Sequence, residues 1–446
     1  MGTSEKDSLQ NFLFTYSINS INALVCNMKL TCKRSILKQD LLFLLSACVY
    51  RIGLDIIYVQ CISPFFDYQN FFYEPELWST LAAGGIFVFF ALRVLSFLRD
   101  PNSVVSIAAV LFFFISVVPF TSLLACKTQP VGLVLSQFVY WFLTYGLLAS
   151  KKTFHVPLLR SGSSLVTLLT IVMAMTVVFI SGYYTGFRMN FSLLNVYDLR
   201  MEVRELNIPI LLVYLWAPMA NVLPFILVIL LEKRKWLLAL GVVFIIFLNF
   251  SINGLKSVLF KMFFALYLFY FFRNKNILGK IHYLFVGLIV IVLLEWCFYE
   301  SIFISSLLIR RVLFMPALLD GLFYDYILEN GPIYYGKQAA EITFNVGGDY
   351  FGSKEMNANN GMFTDAFVNL GYWGCLVYPC IYAVFFKLCD SAFRGHNNQV
   401  IFFATLLIVT TMLSSFFTVA LLTHGLFLLC LTVYMFPRNK QNTYHT

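Results

Sequence analysis

Apolar runs of about twenty residues recur along nearly the whole chain, and this feature restricts its fold most strongly. A run of that length can cross the hydrocarbon core of a bilayer as a single helix. Within lipid, each backbone polar group must be paired inside the protein, so repeated spans favour a bundle of helices. The sequence therefore predicts an all-α, polytopic integral membrane protein.

The composition supports this prediction. Sixty per cent of the 446 residues are hydrophobic and 12% are charged, whereas about a quarter of the residues of a soluble domain are charged. Aromatic residues reach 18%, which suits a lipid-facing surface and the membrane interfaces. These values argue against a soluble enzyme, and the net charge of +9 is assigned to the cytoplasmic face rather than to nucleic-acid binding.

About 12 transmembrane helices are predicted from the apolar runs. The seventh and eighth are short and close together, which predicts a tight helical hairpin. The candidate spans are Leu41–Ile62, Thr80–Leu98, Ser103–Ala125, Val131–Ala149, Ser164–Thr185, Ile208–Leu231, Trp236–Ser251, Leu255–Phe272, His282–Tyr299, Phe363–Phe386, Val400–Phe416 and Val419–Phe436.

Lysine and arginine positions predict the orientation of the spans. Cations recur in the connections that follow the even-numbered spans, such as Arg99, Lys152, Lys235 and Arg394, and such connections face the cytoplasm under the positive-inside rule. Both termini are then cytoplasmic. Residues 1–40 form a cytoplasmic or interfacial segment, 41–299 hold spans 1 to 9, 300–362 form a large outward loop, 363–436 hold spans 10 to 12, and 437–446 are a cytoplasmic tail.

The outward loop is predicted to contain short amphipathic helices. Ser305–Phe314 and Leu318–Leu328 have apolar residues at helical spacing, and Pro316 is expected to separate two helices lying on the outer membrane surface. Gly347-Gly348 and the stretch Asn357–Gly361 are expected to form an irregular loop.

Several cations are predicted on the outward side, against the usual charge rule. They are Arg188, Arg200, Arg204, Lys256, Arg310 and Arg311. Arg200 and Arg204 share a helix face, and two guanidinium groups on one face suit a diphosphate. Lys256 is expected at the start of a helix, which is a favourable anion site. The alternatives are a solvated helix for the arginines and an interfacial, snorkelling lysine.

Polar groups near the outward loop are candidates for binding and proton transfer. Asp320, Asp325, Glu329 and Glu341 follow the arginine pair, and a carboxylate there can accept a proton from a sugar hydroxyl or form a salt bridge. Further along, the stretch 357–374 contains the candidate sugar-binding residues Asn360 and Asn369 together with Asp365; helix capping and glycine packing are the alternatives.

Ionisable residues within the predicted spans are few, and each is a functional hypothesis. Lys261 and His424 lie in apolar runs; His424 is a candidate base or a packed, hydrogen-bonded histidine. Arg51 and Asp55 are four residues apart and are expected to neutralise each other. No nucleotide-binding glycine motif, zinc-protease motif or zinc-like cysteine spacing occurs in the sequence.

These features together resemble the Wzy-type polymerases of bacterial O-antigen and oligosaccharide repeat units. The resemblance extends over nearly the whole chain. It depends on the outward segment Tyr197–Arg200, the turn Gly254–Ser257, the large loop that begins near Arg310, and the stretch Asn359–Gly374. Ten residues separate Arg310 from Gly321, similar to a spacing found in some members.

The resemblance implies a glycosyltransferase of the C-type membrane superfamily. Such enzymes move a growing glycan from undecaprenyl diphosphate to another lipid-linked repeat unit, on the periplasmic face of the bacterial inner membrane, without a cofactor. It implies diphosphate binding by Arg188, Arg200, Arg204, Arg310, Arg311 and Lys256, with Asp325 or Asp365 as the general base. A chain-length regulator is a further partner to consider.

Two other functions stay open at this point. An O-antigen ligase would use the same donor with a lipid A core acceptor. A polysaccharide flippase would more often have two similar halves, short loops and cations in a central cavity. The long outward loop favours the polymerase.

Overall fold

A computed structural model of the chain describes residues 38–157, 163–189, 202–203, 205–271, 277–336, 341–352 and 356–436. Within these residues the chain is helical, and its only β-type contact is a single bridge between Glu74 and Lys127. The all-α prediction is confirmed for this part of the chain.

The helices follow one another with short connections. In chain order they are α1 Lys38–Gln69, α2 Leu77–Arg99, α3 Val104–Cys126, α4 Val131–Leu148, α5 Ser163–Thr185, α6 Ile210–Glu232, α7 Trp236–Asn253, α8 Lys256–Phe271, α9 Leu278–Tyr299, α10 Ser305–Phe314, α11 Met315–Asn330, α12 Ile342–Phe351, α13 Met362–Ala392, α14 Asn398–Met412, α15 Phe417–Leu422 and α16 Leu426–Met435.

Eight of the described helices, α1 to α6, α9 and α13, are long and apolar enough to cross a membrane. The structure therefore supports a polytopic membrane protein, while the number twelve stays a prediction. Four predicted spans correspond to shorter helices: α7, α8, α14 and the pair α15 and α16. The pair is divided at Gly425, whose backbone is left-handed (φ +71°), and a Cβ there would lie 2.3 Å from Pro218 Cβ.

The predicted hairpin between spans seven and eight is confirmed. Helix α7 ends at Gly254, which has a left-handed backbone (φ +61°) and whose N–H binds the carbonyl of Phe250. Helix α8 begins two residues later at Lys256, as the sequence indicated. Glycine suits this position because it adopts positive φ without strain.

The region predicted as an outward loop is more helical and more buried than expected. Helix α10, which has π-helical hydrogen bonding, continues directly into α11, and Pro316 lies in the first turn of α11. Proline fits there because that N–H would have no helical partner, so it does not separate two helices. Residues such as Leu318 and Phe323 are buried, so α11 is packed among other helices.

The prediction of an irregular loop was wrong for Gly347-Gly348, because both residues lie inside α12. A Cβ on Gly347 would lie 2.0 Å from the carbonyl oxygen of Met356. The close contact with that backbone explains the glycine without any break in the helix. Residues 356–361 are non-helical, as predicted.

Close packing around α13 positions the polar groups described next. Helix α13 has a short 3-10 turn at Gly371–Trp373, and its two halves fold closely together. A Cβ on Gly374 would lie 1.8 Å from the carbonyl oxygen of Ala366. Glycine packing, one of the alternatives given above for the stretch 357–374, is therefore confirmed at Gly374.

Candidate functional site

A cavity of about 350 Å³ opens between α3, α6, α8, α11 and α14. We call it the cationic cavity, because Arg311 and Lys261 line it, together with His424 and several hydroxyl groups. Its polar lining is completed by Ser116, Asn221, Ser257, Thr410, Thr411 and Ser414. The wall behind it is formed by apolar residues of α10 and α11.

Asn221 organises the polar side of the cationic cavity. Its side-chain oxygen accepts a hydrogen bond from Lys261 Nζ at 2.7 Å and one from Thr411 Oγ1 at 3.4 Å. Its side-chain nitrogen donates to the backbone carbonyl of His424 at 2.8 Å. One buried amide therefore holds groups from α6, α8, α14 and the α15–α16 turn in fixed positions.

The electrostatics of the cavity favour an anion. None of the described residues that line it is an aspartate or a glutamate. A partly buried ammonium without a carboxylate partner leaves positive potential in the cavity, since the low-dielectric walls screen it poorly. A guanidinium and an ammonium around one cavity can both bind phosphate oxygens.

A buried carboxylate network lies directly behind the cavity wall. Asp320 accepts hydrogen bonds from Gln137 Nε2 at 2.7 Å, from Thr364 Oγ1 at 2.7 Å and from Asn360 Nδ2 at 2.9 Å. Asn360 Nδ2 also binds the carbonyl of Pro316, a cavity-lining residue, at 2.9 Å. Burial raises the pKa of Asp320 to about 7, although the three hydrogen bonds oppose the shift.

The structure divides the predicted cations among different places. Arg311 lines the cationic cavity. Arg310 points elsewhere: its guanidinium donates to Gln69 Oε1 at 2.6 Å and lies 4.1 Å from the ring centre of Phe66. Lys256 lies between the cavity-lining residues Leu255 and Ser257 but does not line the cavity itself.

The predicted arginine helix is described only at its edges. Arg188 forms an exposed ion pair with Glu202, and this hydrogen bond lowers the pKa of the Glu202 carboxyl. Arg200 and Arg204 lie outside the described residues. Their proposed role in diphosphate binding stays a prediction.

The two carboxylates proposed as general bases do not line the cationic cavity. Asp325 is half-buried on α11; burial and the neighbouring Glu329 raise its pKa, while Lys127 opposes the shift. Asp365 is buried on α13 and accepts hydrogen bonds from the backbone N–H of Phe417 at 2.8 Å and from Asn369 Nδ2 at 2.7 Å. These contacts are typical of a carboxylate that joins helices, and its role as a base stays a prediction.

The two predicted sugar-binding asparagines make internal contacts. Asn360 belongs to the Asp320 network. Asn369 Oδ1 accepts the backbone N–H of Tyr335 at 3.2 Å, and its Nδ2 donates to Asp365. Both side chains are buried, so each holds a loop to a helix.

Sequence reasoning identified Lys261 and His424 as unusual intramembrane groups but did not connect them with Arg311. The signal was their presence in apolar runs, which has a functional meaning by default. Asn221 gave no such signal, because a single uncharged asparagine within an apolar helix has many structural roles.

An apolar groove of about 470 Å³ lies beside the cationic cavity. It is lined by Leu169, Met173, Tyr214, Leu215, Pro218, Leu421, Leu422, Gly425, Phe427 and Leu428. Gly425 follows His424 directly, and Pro218 lies one helical turn before Asn221. The two spaces therefore adjoin at the α15–α16 turn and at residues 218–221 of α6.

Comparisons of the chain with protein-family models, with curated proteins and with solved structures found no match.

Proposed function

We propose that this protein is a glycosyltransferase that joins undecaprenyl-diphosphate-linked oligosaccharide repeat units into a surface polysaccharide, an O-antigen or a capsule. The observation that carries the proposal is the cationic cavity without a lining carboxylate, next to an apolar groove. A lipid diphosphate has the matching chemistry: a doubly charged head next to a long hydrocarbon chain.

In this proposal Arg311 and Lys261 bind the diphosphate of the donor. The bond from the donor's anomeric carbon to the diphosphate oxygen breaks, and negative charge develops on that oxygen. Fixed cations stabilise this charge more in the transition state than in the ground state, which is the source of their catalytic effect. The polyprenyl chain lies along the apolar groove.

The acceptor sugar hydroxyl attacks the anomeric carbon and loses its proton to a general base. His424 supports this role because it is one of the residues that line the cavity together with the cations, and a neutral imidazole accepts a proton near physiological pH. Asp325 and Asp365 stay alternative bases. The new glycosidic bond forms as undecaprenyl diphosphate leaves.

The proposed reaction takes place on the periplasmic face of the bacterial inner membrane, with both termini of the protein in the cytoplasm. The proposed partners are the lipid-linked glycans, the bilayer and a regulator of chain length. The reaction needs no nucleotide sugar and no cofactor.

The test uses a deletion strain that carries the wild-type gene, Arg311→Gln, Lys261→Gln or the control Lys235→Gln. Lys235 is an exposed cation in the turn between α6 and α7, and it does not line the cavity. Surface polysaccharide is separated on a gel, and protein levels are checked by immunoblot. We expect the deletion and both cavity variants to leave single capped repeat units, while the control makes full-length chains.

The result also separates the alternatives. If the deletion abolishes even the single capped units, repeat units are not crossing the membrane or not being ligated, and a flippase or a ligase replaces the polymerase. If the cavity variants make full-length chains at normal expression, the cavity does not bind the donor.

A further inference from the structure

A second basic concavity lies at the end of the bundle where α3 begins, away from the cationic cavity. It has a volume of about 400 Å³ and is formed where α2, α4 and α13 end and α3 begins. Its cations are Arg93, Lys152, Lys387 and Arg394, and we call it the four-cation pocket. Ser106 of this pocket and Ser116 of the cationic cavity both lie on α3, about 15 Å apart along the helix axis.

The pocket is built around the buried ammonium of Lys387. Its Nζ donates to the backbone carbonyls of Ser150 at 2.7 Å and Lys152 at 3.0 Å, and it also contacts Ser150 Oγ. An ammonium has three donors, and these contacts use them. Lys387 therefore holds the turn after α4 in place. It contributes positive charge to the pocket, but its three N–H donors are already hydrogen-bonded within the protein.

Asp390, the one carboxylate among the described lining residues, has a structural role. Asp390 Oδ1 accepts Ser103 Oγ at 2.8 Å and the backbone N–H of Val104 at 2.7 Å. It thereby caps the first turn of α3, where a negative charge is favourable. With four cations and one engaged carboxylate, the lining carries an excess of positive charge.

Two of the cations have donors available for a ligand. Arg93 and Lys152 are both exposed, and neither forms an ion pair with another residue that the structure describes. The hydroxyl groups of Ser96, Ser106 and Thr153 line the same space. This combination of a guanidinium, an ammonium and hydroxyls is suited to phosphate oxygens.

Exposed apolar residues adjoin the cations of the pocket in the chain. Leu92 and Leu388, next to Arg93 and Lys387 in the chain, are exposed, and Phe154 of the lining is 39% exposed. The pocket therefore lies where an apolar surface gives way to cations, as at the headgroup level of a bilayer. The charge pattern of the connections predicts that this is the cytoplasmic side.

We propose that the four-cation pocket binds the phosphate of an anionic lipid headgroup. The inference is independent of the proposed glycosyltransferase function, because the pocket shares no lining residue with the cationic cavity. Phosphate is the shared chemistry of a lipid headgroup and of a soluble phosphate, and the lipid is favoured by the exposed apolar residues that adjoin the cations.

The experiment measures the thermal unfolding of the purified full-length protein in detergent. Phosphatidylglycerol, phosphatidylcholine and inorganic phosphate are titrated separately. The test variant combines Arg93→Gln with Lys152→Gln. The control combines Lys235→Gln with Lys280→Gln, which removes two exposed cations from the same predicted side.

We expect phosphatidylglycerol, and not phosphatidylcholine, to raise the Tm of the wild type and of the control. For the test variant, about tenfold more phosphatidylglycerol should be needed for the same rise, because two charge-assisted contacts are lost. If inorganic phosphate alone raises the Tm of the wild type and the control, and does so less for the test variant, the pocket binds a soluble phosphate rather than a lipid. An equal response of wild type and test variant to every ligand overturns the proposal.

If the double variant unfolds without ligand, the single change Lys152→Gln in the exposed turn gives the same comparison.

Discussion

At the scale of single residues, Asp320 shows how a carboxylate can be held in an apolar protein. Three side-chain donors surround its two oxygens, and they come from α4, the loop before α13 and α13 itself. The hydrogen bonds offset part of the cost of burying a charge, and burial still raises its pKa to about 7. Asp320 is therefore a group whose protonation changes near neutral pH.

Asp320→Asn should remove a pH dependence of stability. The pKa is about 7 in the folded protein and near 3.8 when the chain unfolds, so the folded state binds more protons between these values. The wild type therefore loses stability as pH rises from about 4 to about 7, on the order of a few kcal/mol, and the variant does not. Thermal unfolding in detergent at pH 4.5 and pH 8 measures this difference.

The control for this comparison is Asp349→Asn, since Asp349 is exposed on α12. Its profile should parallel that of the wild type. If the wild type and Asp320→Asn lose stability equally between the two pH values, Asp320 does not titrate in this range.

Several single-residue features could be predicted from the sequence. The pairing of Arg51 with Asp55 is confirmed, because spacing of four residues on a helix suffices to bring the two groups together. The contacts of Asn360 and Asn369 could not be predicted, because their partners depend on how distant helices pack.

At the scale of helices, glycine determines where two backbones can approach. Gly374 and Gly361 illustrate this: a Cβ on Gly361 would lie 2.1 Å from the carbonyl oxygen of Met412. Both contacts involve backbone atoms, which cannot rotate away as a side chain can. The N-terminal half of α13 is therefore held tightly on both sides.

Gly374→Ala should destabilise the protein by about 1–3 kcal/mol, because the added methyl group overpacks a backbone contact. Gly146→Ala on α4 is the matched control, since a Cβ there meets no atom within 4 Å. Thermal unfolding of both variants in the same detergent measures the effect. Equal Tm values for Gly374→Ala and Gly146→Ala would contradict the close contact.

The helices themselves were largely predictable, because apolar length and glycine turns act locally. The exceptions have local causes too. Pro316 was expected to separate two helices but lies in the first turn of α11, and Gly347-Gly348 was expected to form an irregular loop but lies inside α12, where Gly347 contacts the backbone of Met356. In each case the residue allows two structural roles, and the packing of the neighbouring segment determines which one it adopts.

The cationic cavity could be predicted only in part. Arg311 was a predicted binding residue, whereas its grouping with Lys261, His424 and Asn221 depends on tertiary packing.

At the scale of the whole molecule, charge is distributed unevenly along the helix bundle. The four-cation pocket and the cationic cavity lie on α3 at different heights. The positive-inside rule predicts cations at the level of the first, whereas the cations of the second lie on the predicted outward half of the bundle. The predicted orientation places the four-cation pocket at the cytoplasmic end of α3 and the cationic cavity nearer to the outer side.

The predicted orientation determines which surface residues a membrane-impermeant reagent can reach while the inner membrane is intact. Asp349→Cys should react with a membrane-impermeant maleimide after the outer membrane is permeabilised, because α12 is predicted to face outward. Lys235→Cys should react only after the inner membrane is broken. The ten native cysteines set the background, which the wild type measures. Reversed labelling would invert the orientation.

The contacts of Asn221 also determine when the cationic cavity can exist. This side chain on α6 bonds to Lys261, to Thr411 and to the carbonyl of His424, partners that are 40, 190 and 203 residues later in the chain. During synthesis α6 enters the membrane well before the last of these partners has been made. The cavity is therefore completed only when the final helices are inserted, so the amide of Asn221 must spend the earlier stages of biogenesis bonded to water, lipid or the insertion machinery.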